Sequence, residues 1–283
     1  MLNDKAMIVY LNISFWAARK YDKRVSLEIE RQYNAEEAGR YNKVLIAKEH
    51  LANIRKIISS ARNFHYENTL PWDDHGGRLL PTTNYFDYLS GINKFQDEFE
   101  RETSNFLLVY PSLKLAASLR LNALFEEDDY PDVETLKTKY AFTNQITPVP
   151  DADDFRVNLN SDEVDSIRDS IEQQVQDSTE AAMHDLWKRL FKVVENMVER
   201  LKDPDHKFKN SLVENIENLC ELLPKLNIKN DPELDAAVNE IQSKLTMNDP
   251  QTLRDNSMVR SRTAQAAQKI LNKMRHYQIQ TAA

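Results

Sequence analysis

Cysteine is all but missing. A single Cys220 stands among 283 residues, which excludes an internal disulfide and any cysteine-rich zinc site. Its setting, 218-NLCELL-223, has a helical apolar pattern. The thiol is therefore expected as a small buried hydrophobe rather than a reactive group. Glycine is nearly as scarce, with 4 residues, and proline is held to 10. All-β sandwiches and doubly wound folds need frequent turns, many of them built on glycine. A chain this poor in glycine has to be mostly helix. No run of about eighteen apolar residues occurs, so no membrane span is expected. The stretch 6-AMIVYLNISFWAA-18 has something of a signal peptide's apolar region. Asp4 before it and Asn12 and Ser14 within it argue against that reading, and the cytoplasm is the default location. There is no P-loop, no GxGxxG, no GxSxG and no Cys/His dyad. Enzyme chemistry thus has no motif behind it, and no cofactor is implied.

Apolar and charged residues are plentiful, at 41% and 29%, the profile of a folded globular chain. The net charge of −8 is unevenly laid out. Residues 151–185 hold eleven acids and two bases, whereas 251–283 hold six bases and one acid. A net acidic chain is a poor general nucleic-acid binder, because phosphate neutralisation needs clustered cations. Only the basic tail, with Arg254, Arg260, Arg262, Lys269, Lys273 and Arg275, could supply them. The plainer reading is an internal match to the acidic half. The acidic stretch itself reads as a solvated helix face.

Helical periodicity dominates. Val44, Ala47, Leu51, Ile54, Ile58 and Ala61 recur at spacings of three and four. Tyr85, Tyr88, Ile92, Phe95, Phe99, Phe106, Val109 and Leu113 do the same. Two such stripes joined by a connector of about fifteen residues predict an antiparallel helical hairpin. A third long helix is expected from about 161 to 202, on a stripe running from Val164 to Leu201. Shorter helices are expected over 206–223, 231–246 and 250–275. Asp203-Pro204, Asp231-Pro232 and Asp249-Pro250 mark their starts. Two strand-like runs, 7-MIVYLNIS-14 and 155-FRVNLNS-161, share V-x-L-N and are expected to pair as a β-ribbon. Asn160 would cap the helix after the second run.

The fold class is therefore mainly α, with long antiparallel coiled-coil-like helices, a small two-stranded β-ribbon and a C-terminal helical bundle. Residues 1–140 would hold a strand and the hairpin with its tip at 67–81. Residues 141–154, which include 147-TPVPDADD-154, would be a linker. Residues 155–283 would form the second half.

The hairpin tip, 65-HYENTLPWDDHGGRLLPTTNYFDY-88, invites three readings. His65, Glu67, Asp73, Asp74 and His75 are ligand types for a hard or borderline metal, as a metal-dependent hydrolase would need. Their spacing matches no metal motif. A structured turn is the second reading. Asp73 and Asp74 would cap amides, Gly76 and Gly77 would take positive φ, and Leu70, Trp72, Leu79 and Leu80 would pin the loop. The third is a docking tip presenting Trp72, Asp73, Asp74 and Arg78, the side-chain types of a protein-binding hot spot.

Taken together, 40-RYNKVLI-46, 53-NIRKIISSARNFHYENTLPWDD-74, 78-RLLP-81, 97-DEFER-101 and 147-TPVPDADDFRVNL-159 resemble a family of uncharacterised proteins of tailed phages and bacteria, a domain of unknown function. The likeness covers roughly residues 1–200. It implies no activity and transfers no catalytic residue. Its members are often encoded beside a MoxR-type AAA+ ATPase and a von Willebrand A-domain protein, which points to an AAA+ ATPase or a host protein as partner. The expectation is a phage-encoded helical scaffold or adaptor in the host cytoplasm. It would bind other proteins and could form homo-oligomers along the helix stripes. A host-defence inhibitor or nucleic-acid-associated role is the other alternative to the hydrolase.

Overall fold

A computed structural model describes residues 2–152, 161–203 and 206–280. Helix predominates, as the glycine shortage requires. In chain order the elements are β1 (Ala6–Ser14), β2 (Arg19–Tyr21), α1 (Lys23–Tyr33), β3 (Asn42–Val44), α2 (Ala52–Glu67), β4 (Leu70–Pro71), β5 (Arg78–Pro81), α3 (Tyr85–Leu121), α4 (Val133–Lys137), β6 (Ala141–Pro148), α5 (Ser161–Lys202), α6 (Ser211–Leu226), α7 (Pro232–Leu245), α8 (Pro250–Asp255) and α9 (Ser257–Gln280).

By internal contacts the chain falls into two units rather than into halves divided at a linker over 141–154. Unit 1 comprises 1–10, 66–88 and 145–283; unit 2 comprises 11–65 and 89–144. The predicted hairpin tip therefore belongs to unit 1, and most of the two helices that flank it in sequence belongs to unit 2.

Unit 1 is built on α5. Its buried run Ala182, Leu186, Leu190, Val194, Met197 and Leu201 packs against α9 and α6. Val194 replaces the expected Val193 because the buried stripe moves round the helix by one position. Farther back, Val164, Ile167, Ile171 and Val175 are only half-buried. The core is closed by Leu223 and Leu226 of α6, Val238 and Ile241 of α7, and Ile270 and Leu271 of α9. Cys220 is buried among them, and burial pushes its thiol up to about 11. Asp231 and Asp249 cap α7 and α8 through the backbone amides two and three residues on, each with proline at the first helical position. The helix expected over 206–223 runs from Ser211 to Leu226; Pro204, at its expected start, lies outside the described residues. The helix expected over 250–275 is broken at Asn256, whose side chain accepts from Met258 and Val259 and restarts the chain as α9.

β1 lies between β5 and β6 in a four-stranded sheet ordered β4-β5-β1-β6. It pairs antiparallel with β5 in the register Ala6–Pro81 to Val9–Arg78. The strand-like run 155–160 and the Asn160 cap lie outside the described residues.

In unit 2, α2 and α3 run antiparallel as expected. Phe64 meets Phe95 with ring centroids 5.7 Å apart, and Asn53 donates to Glu102 at 3.4 Å. Gly91 is required by this crossing, because a Cβ there would lie 2.2 Å from the Phe64 ring. The buried face of α3 is Ile92, Phe99, Phe106, Tyr110 and Ala117. Trp16 meets Tyr110 edge-on, and the Tyr110 hydroxyl donates to the Pro131 carbonyl at 2.9 Å. Beside these, β2 and β3 form a separate two-stranded sheet.

Candidate interaction surfaces

The segment at the hairpin connection is a structured turn buried on its inner side. Trp72 is only 7% exposed and lies in the unit 1 core with Leu70 and Leu79. The Trp72 carbonyl accepts from the buried Ser178 hydroxyl of α5 at 2.9 Å. Asp73 does the capping, accepting from the amides of His75 at 2.7 Å and Gly77 at 2.9 Å. Gly76 takes the positive φ, +94°. Gly77 is needed for a different reason: a Cβ there would meet an Asp73 carboxylate oxygen at 2.5 Å.

Two of the expected sites are corrected by this arrangement. The docking tip fails because its aromatic anchor is packed inside and its guanidinium is engaged. Arg78 donates to the Thr69 hydroxyl at 2.7 Å and the Thr69 carbonyl at 3.0 Å, and it lies over the Tyr66 ring. Arg189 of α5 donates to the carbonyls of Glu67, Tyr66 and Thr69 at 2.6, 3.0 and 2.7 Å. Together the two arginines satisfy backbone oxygens left open where a helix ends. The metal reading fails on placement. His65 is buried, whereas Asp74 and His75 are exposed at the turn. Among the described residues no group of three His, Cys, Asp or Glu side chains is placed to hold a metal.

The basic tail also dissolves as a unit. Arg260 is buried and donates to the carbonyls of Leu201, Arg200, Asp203 and His206, closing the end of α5. Arg254 donates to the Phe208 carbonyl and the Asn210 side chain. Lys273 pairs with Glu240 at 3.0 Å, and Arg275 lies over Phe191. Arg262 and Lys269 are exposed. Internal oxygens therefore hold three of the six, Arg254, Arg260 and Lys273, and a ring holds Arg275; the acid that Lys273 meets, Glu240, lies outside the 151–185 stretch expected to match the tail.

Periodicity alone misses a surface on unit 2. Leu108, Leu115 and Leu119 of α3 are 80%, 67% and 82% exposed, with Val109 alongside. They lie opposite the buried Phe106, Tyr110 and Ala117. Val109 was expected inside, but Tyr110 takes that place. The signal for this face was present: 107-LLV-109 is three consecutive large apolar residues, which cannot all face one side of a helix. On α1, Leu27, Ile29 and Tyr33 are also exposed, and Ser26 is that helix's buried residue. Of twelve exposed large hydrophobics among the described residues, eight fall in unit 2.

A second unforeseen feature of unit 2 is a buried charge cluster. Lys43 of β3 is 1% exposed. Its ammonium lies 2.7 Å from Asp129 and 3.3 Å from Asp22, and it donates to the Leu124 carbonyl at 2.9 Å. Lys20 reaches Asp129 at 2.5 Å. Burial alone would lower the Lys43 pKa, but its hydrogen bonds to Asp129 and Asp22 outweigh that and hold it above the ordinary lysine value. Burial likewise opposes ionisation of Asp129, and the two lysines reverse the shift to below the ordinary carboxylate value. Asp22 is held low first by the Val25 amide and then by Lys43.

Unit 1 offers an open groove of about 1010 Å³ between α5 and α6. Val193, Leu219 and Leu222 supply its apolar part; Asn196, Asn215 and Asn218 line it as well. It is an open groove rather than an enclosed small-molecule pocket.

Comparison with protein-family models, with curated proteins and with solved structures finds no match to this chain.

Proposed function

We infer that this chain is a phage-encoded helical adaptor or scaffold that works by binding another protein on the apolar face of unit 2. The observation that carries the reading is the row Leu108, Leu115 and Leu119, left uncovered on a helix whose opposite face is packed. A stripe at spacings of seven and four is the form in which one helix recognises another. Large apolar side chains grouped on one surface mark an interaction site. No acidic residue interrupts 103–125, so the face suits the apolar side of an amphipathic helix. An AAA+ ATPase of the MoxR type is the first partner to test, on the strength of the family resemblance, and a host protein is the second.

The test is capture of protein from phage-infected cells by wild type and by a Leu115→Lys/Leu119→Lys variant, followed by binding of the purified captured protein. Both leucines are exposed, so the variant should fold normally. Capture by wild type and its loss in the variant are expected. Equal capture by a folded variant would sink the reading.

A further inference from the structure

We propose that unit 2 binds single-stranded nucleic acid on the face where the chain leaving β1 crosses α2, with Arg19, Arg55, Lys56, Arg62 and Lys139 on its phosphates and Tyr21 against a base. This face shares no residue with the leucine row of α3, so the two surfaces are tested apart.

The net charge of the whole chain hides it. Residues 11–65 carry 11 bases and 6 acids, a net of +5 within a chain of −8. One of those acids, Asp22, is buried against Lys43. No acid at all occurs in 11–21, 50–65 or 135–144, apart from one another in sequence but side by side in the fold. Arg55 and Arg62 of α2 donate to the carbonyls of Ala17 and Ile13 at 3.1 and 3.2 Å. Thr143 of β6 donates to the Asn12 carbonyl of β1 at 3.4 Å. Tyr140, next to Lys139, lies near enough to Arg55 to feel its charge.

The acid that α2 does meet stays on its other flank. Asn53 donates to Glu102 of α3 at 3.4 Å. At about 100° per residue, Arg55 and Arg62 lie roughly half a turn round the helix from Asn53. Among the described residues none of Arg19, Arg55, Lys56, Arg62 and Lys139 forms an ion pair. Arg55 and Arg62 each commit one nitrogen to a carbonyl, and a guanidinium has further N–H donors to offer a phosphate.

Aromatic rings stand among these cations. Arg55 lies over Phe15 at 5.8 Å, and Arg40 over Tyr21 at 5.5 Å. Lys20 turns inward to Asp129, so its neighbours Arg19 and Tyr21 on β2 point the other way, and Tyr21 is 43% exposed. Cations that track a backbone, with rings on which bases stack, are the elements of single-strand recognition. A protein partner would need an apolar centre with charge at its rim, and the exposed leucines that could form one stand on α3 instead.

Fluorescence anisotropy of a labelled oligothymidylate of about 20 nucleotides, with the full chain, provides the test. Wild type should bind it, and the affinity should fall with salt at a log–log slope of roughly −3, as about five neutralised phosphates require. Arg19→Glu/Lys56→Glu changes two exposed side chains and should weaken binding about tenfold or more at low salt. Arg19→Gln/Lys56→Gln, gentler on the fold, should show a smaller loss in the same direction. Arg262→Glu/Lys269→Glu makes the same change in net charge on exposed residues of α9 and should stay within about twofold of wild type. Tyr21→Ala should lose about fivefold through stacking. Unfolding midpoints equal to wild type separate these losses from misfolding. Wild type that does not bind at low salt overturns the proposal. So does an equal loss in the α2 and α9 charge-reversed variants, or a slope near zero. A duplex of the same length bound as tightly, or polyglutamate competing as well as the oligonucleotide, overturns it too, because the face would then read charge alone.

Discussion

The two units solve the problem of helix amphipathicity in opposite ways. In unit 1, α5 is wrapped by α9 and α6, and the turn at 68–84 inserts Trp72 into the same core. In unit 2, α3 buries one face under aromatic side chains and leaves three leucines of the other face in solvent. Unit 1 is strongly acidic and closes its helix ends with arginine donors. Unit 2 is nearly neutral and buries Asp22, Lys43 and Asp129 in one cluster. Both units expose some large apolar side chains, but the larger share, eight of twelve among the described residues, lies in unit 2. Such a division is expected of a chain whose one part is a body and whose other part is a contact.

The strongest way to break this comparison is Trp72→Ala. If Trp72 is core, its loss removes a large buried aromatic and should destabilise the chain by about 3–5 kcal/mol. Denaturant unfolding measures it. A cost below about 1 kcal/mol, within the range of surface substitutions, would return Trp72 to the docking role.

Next comes the charge cluster of unit 2. Lys43→Met leaves Asp22 and Asp129 buried without their shared cation, and breaking a buried pair costs about 3–5 kcal/mol at neutral pH, less here because Lys20 still reaches Asp129. The pH dependence sharpens it. Asp22 and Asp129 have folded pKa values below their ordinary ones. Their contribution is therefore full above the unfolded carboxylate value, near 4, and is lost as pH falls through the lower folded values. Lys43 and Lys20 are raised. Their contribution holds below the unfolded lysine value and is lost as pH rises through the higher folded ones. Wild type should lose stability at both extremes, and Lys43→Met should show a flattened acid limb. An unchanged acid limb would show that the cluster does not hold unit 2 together.

These features differ in how visible they are from sequence. The α2–α3 hairpin, the α5 rod and the caps at Asp231 and Asp249 were legible because periodicity and capping are local: the residues that decide them lie within a few positions of each other. The Asp73 turn was legible for the same reason. The Lys43 cluster was not, because Asp22 and Asp129 come from distant segments and carry no spacing signal. The roles of Arg189 and Arg260 were hidden likewise, since their acceptors are backbone carbonyls, which every residue has. Trp72 was misjudged because an aromatic beside charges and glycines has the same composition whether it is anchored inward or presented outward; only the position of α5 decides between them. The α3 face was readable in part. Composition showed apolar residues all round the helix, but which side would be covered depends on Trp16, Tyr130 and Phe142, which are remote in sequence.

The smallest effect is the most discriminating. Leu119→Gln alters a side chain that is 82% exposed and packs against nothing that the fold needs. Unfolding free energy should change by less than about 0.5 kcal/mol, as at ordinary surface positions. Hydrogen exchange across 108–121 in the dilute chain should be unchanged too. At concentrations where copies or partners meet, those same amides should be protected in wild type and not in the variant, because protection then comes from contact rather than from folding. A stability loss of 2 kcal/mol or more, in the range of a core truncation, would mean that Leu119 is buried in the folded chain. The contrast between the packed α5 of unit 1 and the half-covered α3 of unit 2 would then fall with it.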